Sequence, residues 1–221
     1  MLEMTVSTGP LPIAVPFEPL IRQDGTRHQG CDESSGWIWY AARVLENAVI
    51  QLMGPQLERG MRILELGSGT GWLACRLASL GASVTATDRP GALELLCRNV
   101  YLNQERWCAL PQEAKSVPHE LDIEVYPLHW ESTDRVPGSP WDIVVASDVL
   151  YLPEMYQPML ETVLRHECRL LLLSWEIRKP TEEEPFFAVA AAMGFVWKEL
   201  PSAINPVTNG VVRVVQLEKI A

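Results

Sequence analysis

The residues best suited to chemistry are clustered in one stretch. Glu65-Leu66-Gly67-Ser68-Gly69-Thr70-Gly71 sets a carboxylate ahead of three glycines at alternate positions. The apolar run from Arg62 to Leu66 leads into it, and a helix-like run from Trp72 to Ser79 follows. Glycines let the backbone approach a ligand closely, and a helix N-terminus offers unpaired N–H groups. A second apolar run, Ser83 to Thr87, ends on Asp88, whose carboxylate can accept hydrogen bonds from ribose hydroxyls. Two ligand classes fit this pattern. Gly69-Thr-Gly71-Trp-Leu-Ala74 matches G-x-G-x-x-A with an acid about 20 residues later, as in dinucleotide-binding folds. Glu65 separates the two readings. At that point a carboxylate would face a pyrophosphate and repel it. It would welcome a ligand with an α-amino group and no phosphate, and S-adenosylmethionine is such a ligand. On this reading Glu65, Gly67, Ser68, Gly69, Gly71 and Asp88 form the cofactor floor. Trp130 is expected to stack on or edge the adenine, with Leu128 or Trp130 giving a backbone contact, and Trp39 to cover the methionine end. Arg89 and Pro90 are expected to shape the loop.

A second constellation is Asp148-Val-Leu-Tyr151. An acid and an aromatic three residues apart face one cavity when they share a helical turn. Methyl transfer to an amine requires a nitrogen that has lost its proton and is aligned with the methyl carbon. A free lysine has a pKa of about 10.4, so on the order of one in a thousand is neutral near pH 7. Asp148 can hold and orient such an ammonium, and Tyr151 can pack on it through a cation–π contact. Orientation of an in-line attack is then the main contribution of the protein.

These residues need elements to position them. Apolar spacing over Ile38, Ala41, Ala42, Leu45, Val49 and Leu52 predicts a helix from Gly36 to Met53, stopped by Gly54-Pro55. Strands are predicted over Arg62–Leu66, Ser83–Thr87, part of Asp122–Trp130, Trp141–Ser147, Leu170–Trp175, Phe195–Leu200 and Val211–Leu217. Helices are predicted over Trp72–Ser79, Pro90–Asn103, Pro153–Arg165 and Glu182–Met193. Trp107 to Glu120 reads as an irregular insertion. The fold class that follows is α/β: a mostly parallel seven-stranded sheet with helices on both faces and a C-terminal antiparallel hairpin. In such sheets ligands bind beyond the carboxyl ends of the strands. Glu65, Asp88, Trp130, Asp148 and Trp175-Glu176 all fall at such ends, which argues for one site. Residues 1–35, with Pro10, Pro12, Pro16 and Pro19, read as an N-terminal arm or edge segment ahead of a domain over 36–221.

Composition narrows the partners. The formal charge of −10 opposes a general affinity for nucleic acid and suits a basic partner. Cys31, Cys75, Cys97, Cys108 and Cys168 are odd in number and lack a C-x-x-C pair, so no disulfide framework and no metal site is expected. Reduced thiols fit the cytoplasm or nucleus. No apolar run has transmembrane length and no signal peptide is evident, so no membrane partner is expected.

The glycine stretch, Thr87-Asp88, Asn99-Val-Tyr-Leu-Asn103, the tryptophan after the third strand and Asp148-Val-Leu-Tyr151 together resemble the seven-β-strand protein-lysine methyltransferases, methyltransferase family 16. Gly36-Trp-Ile-Trp39 is similar to the G-x-x-W segment of that family, and the likeness covers roughly residues 30 to 217. The resemblance implies a Rossmann-like class I methyltransferase domain. Trp39, Glu65, Gly67, Asp88, Trp130 and Ser147 would line the S-adenosylmethionine site, with S-adenosylhomocysteine as product. Asp148 and Tyr151 would be catalytic. The acceptor would be a lysine of a protein, as for family members that methylate chaperones and elongation factors. Separately from the resemblance, a monomer is expected. Trp175 departs from the family, which has a tyrosine before the glutamate. A small-molecule N- or O-methyltransferase and a non-catalytic cofactor-binding module stay as alternatives on the same fold.

Overall fold

A computed structural model describes residues 17–23, 33–115, 120–138 and 140–220. Cys31, Pro10, Pro12 and Pro16 lie outside the described residues. The elements run α1 (Tyr40–Leu57), β1 (Arg62–Leu66), α2 (Trp72–Ser79), β2 (Ser83–Asp88), α3 (Leu93–Ala109), β3 (Ile123–Pro127), β4 (Ile143–Ser147), α4 (Tyr156–Arg165), β5 (Leu170–Glu176), α5 (Pro180–Glu183), α6 (Pro185–Ala192), β6 (Phe195–Ile204) and β7 (Val211–Lys219). One seven-stranded sheet has the order β3-β2-β1-β4-β5-β7-β6. The first five strands pair in parallel, and β7 pairs antiparallel with both β5 and β6.

Side-chain alternation divides the core into two layers. Ile63, Val84, Ala86, Ile143, Val145 and Leu172 pack with α1, α2 and α3. Leu64, Leu66, Val144, Ala146, Leu171 and Leu173 pack with α4 and α6 on the opposite face. Strands covered on both faces have to be apolar on both, which is why β1 and β4 read as continuous apolar runs. Glu65 is the exception. Strand alternation puts it on the face of Ile63, toward α1–α3. Strand order reverses between β1 and β4, so the carboxyl ends of these strands diverge from their crossovers and leave a crevice.

Several expected boundaries differ. Helix α1 starts at Tyr40, because Trp39 is extended (φ −83°, ψ 140°) and Glu33–Gly36 forms a separate 3-10 turn. It also passes through Gly54-Pro55 to Leu57. Pro55 removes only the bond to the Gln51 carbonyl, and Gln51 is on the exposed side where water can replace it. Helix α3 runs past Asn103 to Ala109, so Trp107 belongs to it and is buried rather than part of an insertion. Its spacing from Leu96, Val100 and Asn103 is helical. Strand β6 continues past Pro201 through a bulge between Leu200 and Ala203, which an edge strand tolerates.

Residues 17–23 lie along α3, held by two asparagines one turn apart. Asn103 accepts from the Leu20 N–H (2.8 Å) and donates to the Leu20 carbonyl (3.0 Å). Asn99 accepts from the Arg22 N–H (3.0 Å) and donates to the carbonyls of Arg22 (3.1 Å) and Thr70 (3.0 Å). Both side chains are fully buried. Phe17 adds an edge-on contact to Trp107 at 5.1 Å. Asn99→Ala leaves three backbone groups without these partners. It is expected to lower stability by roughly 2–3 kcal/mol and the melting temperature by about 5–10 °C. Thermal melts against the wild type check this.

Candidate active site

A cleft of about 280 Å³ opens at the carboxyl ends of β1, β2 and β4. Trp39, Glu65, Gly67, Ser68, Gly69, Asp88, Trp130, Ser147, Asp148 and Tyr151 all line it. Gly71 does not. It caps α2 in the left-handed region (φ 78°), and a Cβ there would sit 2.7 Å from Leu96 Cδ1, so its absence of a side chain serves packing. Gly67 does face the cleft. Its φ is 70° and a Cβ would come 3.0 Å from Val149 Cγ1 and 3.7 Å from the Trp130 ring, which would narrow the space under that ring.

The floor is tied together through Ser68. Its N–H donates to the Thr87 carbonyl (2.9 Å) and its hydroxyl accepts from the Thr87 N–H (3.1 Å). The Thr87 hydroxyl donates to the Glu65 carbonyl at 2.7 Å. These bonds hold the ends of β1 and β2 at a fixed separation. Glu65 is 1% exposed. Burial pushes its carboxyl up from 4.5 to about 7, with the Asp88 charge adding to the rise, while bonds from Ser68 and the Ala74 N–H oppose it. Its Oε2 is buried and has no hydrogen-bond partner among the described residues. A lone carboxylate oxygen at a cleft floor is complementary to a cation with N–H donors. The thiol of Cys75, next to this carboxyl, is raised to about 12 by burial, then by the charge of Glu65, so it stays protonated.

Asp88 is mostly buried and accepts from the N–H groups of Gly69 (2.7 Å) and Arg89 (2.7 Å). A carboxylate can accept about four hydrogen bonds, so it can serve backbone N–H groups and ligand hydroxyls together. Leu128 is not available as a backbone donor to an adenine: its N–H pairs with the Asp88 carbonyl at 2.8 Å, extending the β2–β3 ladder. Trp130 is half-buried, and its carbonyl lies 3.3 Å from the Thr162 hydroxyl, whose shorter bond goes to the Pro158 carbonyl at 2.9 Å. The cleft therefore has an anionic hole for an ammonium, a diol acceptor and an aromatic wall, in the order that S-adenosylmethionine would need.

Asp148 sits in a turn after β4 with φ 57°, a conformation that Asp tolerates better than most residues. Its N–H donates to the Ser174 carbonyl (2.7 Å). Arg178 makes a two-pronged ion pair with it, Nη1 to Oδ1 and Nη2 to Oδ2, both 2.7 Å. The guanidinium also lies 4.8 Å from the Trp39 ring centroid and 3.4 Å from Glu176. Hydrogen bonds to Asp148 raise the Arg178 pKa above its usual value, against the effect of burial. Glu176 is pushed up by burial, yet bonds from Thr208 and Asn205 and the charge of Arg178 bring it below its ordinary value. The Asn205 amide lies 2.9 Å from Glu176 and the Thr208 hydroxyl also donates to it. Tyr151 is 44% exposed on the rim.

Arg178, Asn205 and Thr208 were not among the expected site residues. Arg178 had a readable signal: it is a cation two residues beyond a strand-end acid in an acidic chain. Asn205 and Thr208 had none, because they reach Glu176 only through the β6–β7 hairpin.

A profile described as lysine methyltransferase, Methyltransf_16, matches residues 22–192. The chain is 36% identical over 149 residues to Protein N-lysine methyltransferase METTL21A of Danio rerio, covering 66% of this chain and 62% of that one. It is 33% identical over 132 residues to EEF1A lysine methyltransferase 3 of Mus musculus, covering 58% and 51%. The chain thus spans about three fifths or less of the length of these curated relatives. Among solved structures, magnesium protoporphyrin IX methyltransferase (ChlM) from Synechocystis PCC 6803 with bound SAH superposes with a TM-score of 0.58 at 17% identity, covering 81% and 83% of the two chains. N-methyltransferase NodS from Bradyrhizobium japonicum WM9 gives 0.53 at 16%, covering 81% and 87%. These two likenesses show the Rossmann-like methyltransferase fold. With the profile spanning most of the chain, from the docked arm through α6, the chain belongs to the lysine methyltransferase family, Methyltransf_16.

Proposed function

We propose that this protein transfers a methyl group from S-adenosylmethionine to the side-chain amine of a lysine in a protein substrate. The observation that carries the cofactor part is the buried, unpartnered Oε2 of Glu65 at the floor of a cleft whose other wall holds Asp88. Bound there, S-adenosylmethionine supplies a methyl group activated on a sulfonium sulfur. Glu65 takes the ligand's ammonium, Asp88 takes the ribose hydroxyls, Gly67, Ser68 and Gly69 carry the close backbone approach, Trp130 faces the adenine and Trp39 covers the methionine end. Asp148 and Tyr151 hold and orient the acceptor ammonium. The relatives, which include N-lysine and EEF1A lysine methyltransferases, support a protein lysine as acceptor. A net charge of −10 suits a basic partner and disfavours nucleic acid. We propose further that it works as a monomer, away from membranes, in the cytoplasm or nucleus, in keeping with the free thiols of Cys75, Cys97, Cys108 and Cys168.

Thermal shift tests the cofactor. S-adenosylhomocysteine is expected to raise the melting temperature and NAD is not; stabilisation by NAD alone would overturn the proposal. Asp88→Ala removes the diol acceptor and frees the Gly69 and Arg89 N–H groups. It is expected to weaken S-adenosylhomocysteine binding by about 10- to 100-fold, the equivalent of one or two charge-assisted hydrogen bonds. Titration calorimetry reads this directly, and an unchanged affinity would remove Asp88 from the site.

A further inference from the structure

Asp148 is the residue assigned to the acceptor ammonium, yet another cation holds it. Its side chain is 3% exposed and both its oxygens bond to Arg178. The same guanidinium stacks on Trp39 at 4.8 Å. A buried carboxylate beside an aromatic face is the chemistry that recognises an alkyl cation. Arg178 also separates two spaces. The main cleft and a smaller cavity of about 100 Å³ share Asp148, Tyr151 and Arg178 in their walls. The smaller cavity continues to Trp175, Glu176 and Glu183.

We propose that Arg178 fills the acceptor-lysine site of the substrate-free protein and has to leave Asp148 before a lysine ammonium can bind there. The inference rests on the methyltransferase reading above. The side chain of Arg178 is 42% exposed, so solvent screens the pair and departure is feasible. A landing place exists: Glu176 is already 3.4 Å away. Asn205 and Thr208 anchor Glu176, so it stays in place as the guanidinium shifts toward it. When Arg178 moves, the two cavities join through the space next to Asp148.

The test needs no knowledge of the substrate. In Arg178→Ala the cage loses its resident cation, and n-butylammonium, a lysine side chain without its backbone, should take its place. The melting temperature of this variant is expected to rise saturably with n-butylammonium chloride, on the order of 5 °C near a hundredfold excess over Kd. Neither n-butanol nor sodium chloride at equal ionic strength should reproduce the rise. Wild type should not respond over the same range, and Asp148→Asn in the Arg178→Ala background should abolish the response. Equal responses of wild type and variant, no response of the variant, or a response that survives Asp148→Asn would overturn the proposal. If Arg178→Ala does not fold, Arg178→Gln serves, since its amide can still donate to Asp148 while leaving the charge uncompensated. Failure of the methyltransferase reading has a separate signature: wild type would not bind S-adenosylhomocysteine, whatever the n-butylammonium result.

Discussion

Glu65→Gln is expected to stabilise the ligand-free protein and to remove most of its affinity for S-adenosylmethionine. The two effects share one cause. The Glu65 carboxyl is raised from 4.5 to about 7 by burial, so the fold holds an acid that resists ionising. Below about pH 4 the acid is protonated in both the folded and unfolded chains and adds nothing to their difference. Between 4.5 and 7 the unfolded chain releases the proton first, and stability falls as pH rises. Above the folded value the full penalty stands, on the order of 3 kcal/mol for a shift of this size. An amide at this position does not ionise and has no such penalty. The melting temperatures of Glu65→Gln and wild type should therefore coincide near about pH 4 and diverge by roughly 5–10 °C at about pH 8. Cofactor binding goes the other way. The ligand's ammonium needs the ionised carboxylate, and without it a buried cation is left unpaired. Breaking a buried pair costs about 3–5 kcal/mol, which corresponds to an affinity loss of roughly 10²–10⁴-fold. In the wild type, affinity should fall about tenfold per unit as pH drops below 7. Melts and calorimetry with S-adenosylhomocysteine across this range check both signs. A variant that is less stable at about pH 8, or that binds as tightly as wild type, would contradict the role given to Glu65.

Asp148→Asn is expected to suppress methyl transfer by at least about 100-fold while cofactor affinity stays within about threefold. Asparagine is the informative replacement because Asp148 has φ 57°, where Asn is tolerated and Ala is strained. The change keeps the shape and removes the charge that would neutralise and orient the acceptor ammonium. Loss of a charge partner in a buried site is worth about 3 kcal/mol or more, which sets the expected size. Glu65 and Asp88 line the same cleft from β1 and β2 rather than from the β4 turn, so the cofactor contacts should survive. Arg178 keeps its stacking on Trp39 and its pairing with Glu176. Radiolabel transfer and calorimetry on the same preparation separate the two functions. Parallel loss of both would make Asp148 a cofactor or folding residue.

The floor of the site was legible because its chemistry is local. Glu65, the glycines and Asp88 lie within one strand-turn-helix-strand unit, where strand alternation and positive φ at Gly67 and Gly69 leave few arrangements. The sheet was legible for the same reason: apolar runs without polar alternation are what buried parallel strands require. Boundaries were harder to read. Pro55 looks like a stop in sequence, yet an exposed Gln51 carbonyl makes it tolerable. Trp107 looked like part of a loop because charged neighbours mask its helical spacing from Asn103. The acceptor side was the least legible. Asp148 was readable as a candidate, but its engagement by Arg178 depends on the β4–β5 register, which sets the Asp148 N–H against the Ser174 carbonyl and brings residue 178 back over the cleft. The Asn99–Asn103 clasp was visible as a motif. Its partners at Leu20 and Arg22 are some 80 residues away, and no local pattern announces them.

Methyl transfer to a protein lysine is open to one direct measurement. The protein is incubated with S-adenosylmethionine carrying a labelled methyl group and a cell lysate, with Asp148→Asn in parallel. The labelled material is then digested and sequenced by mass spectrometry. Label is expected on lysine side chains of a protein with wild type, and that label should be lost with Asp148→Asn. Label confined to small metabolites, or equal labelling by the two proteins, would contradict the proposed activity.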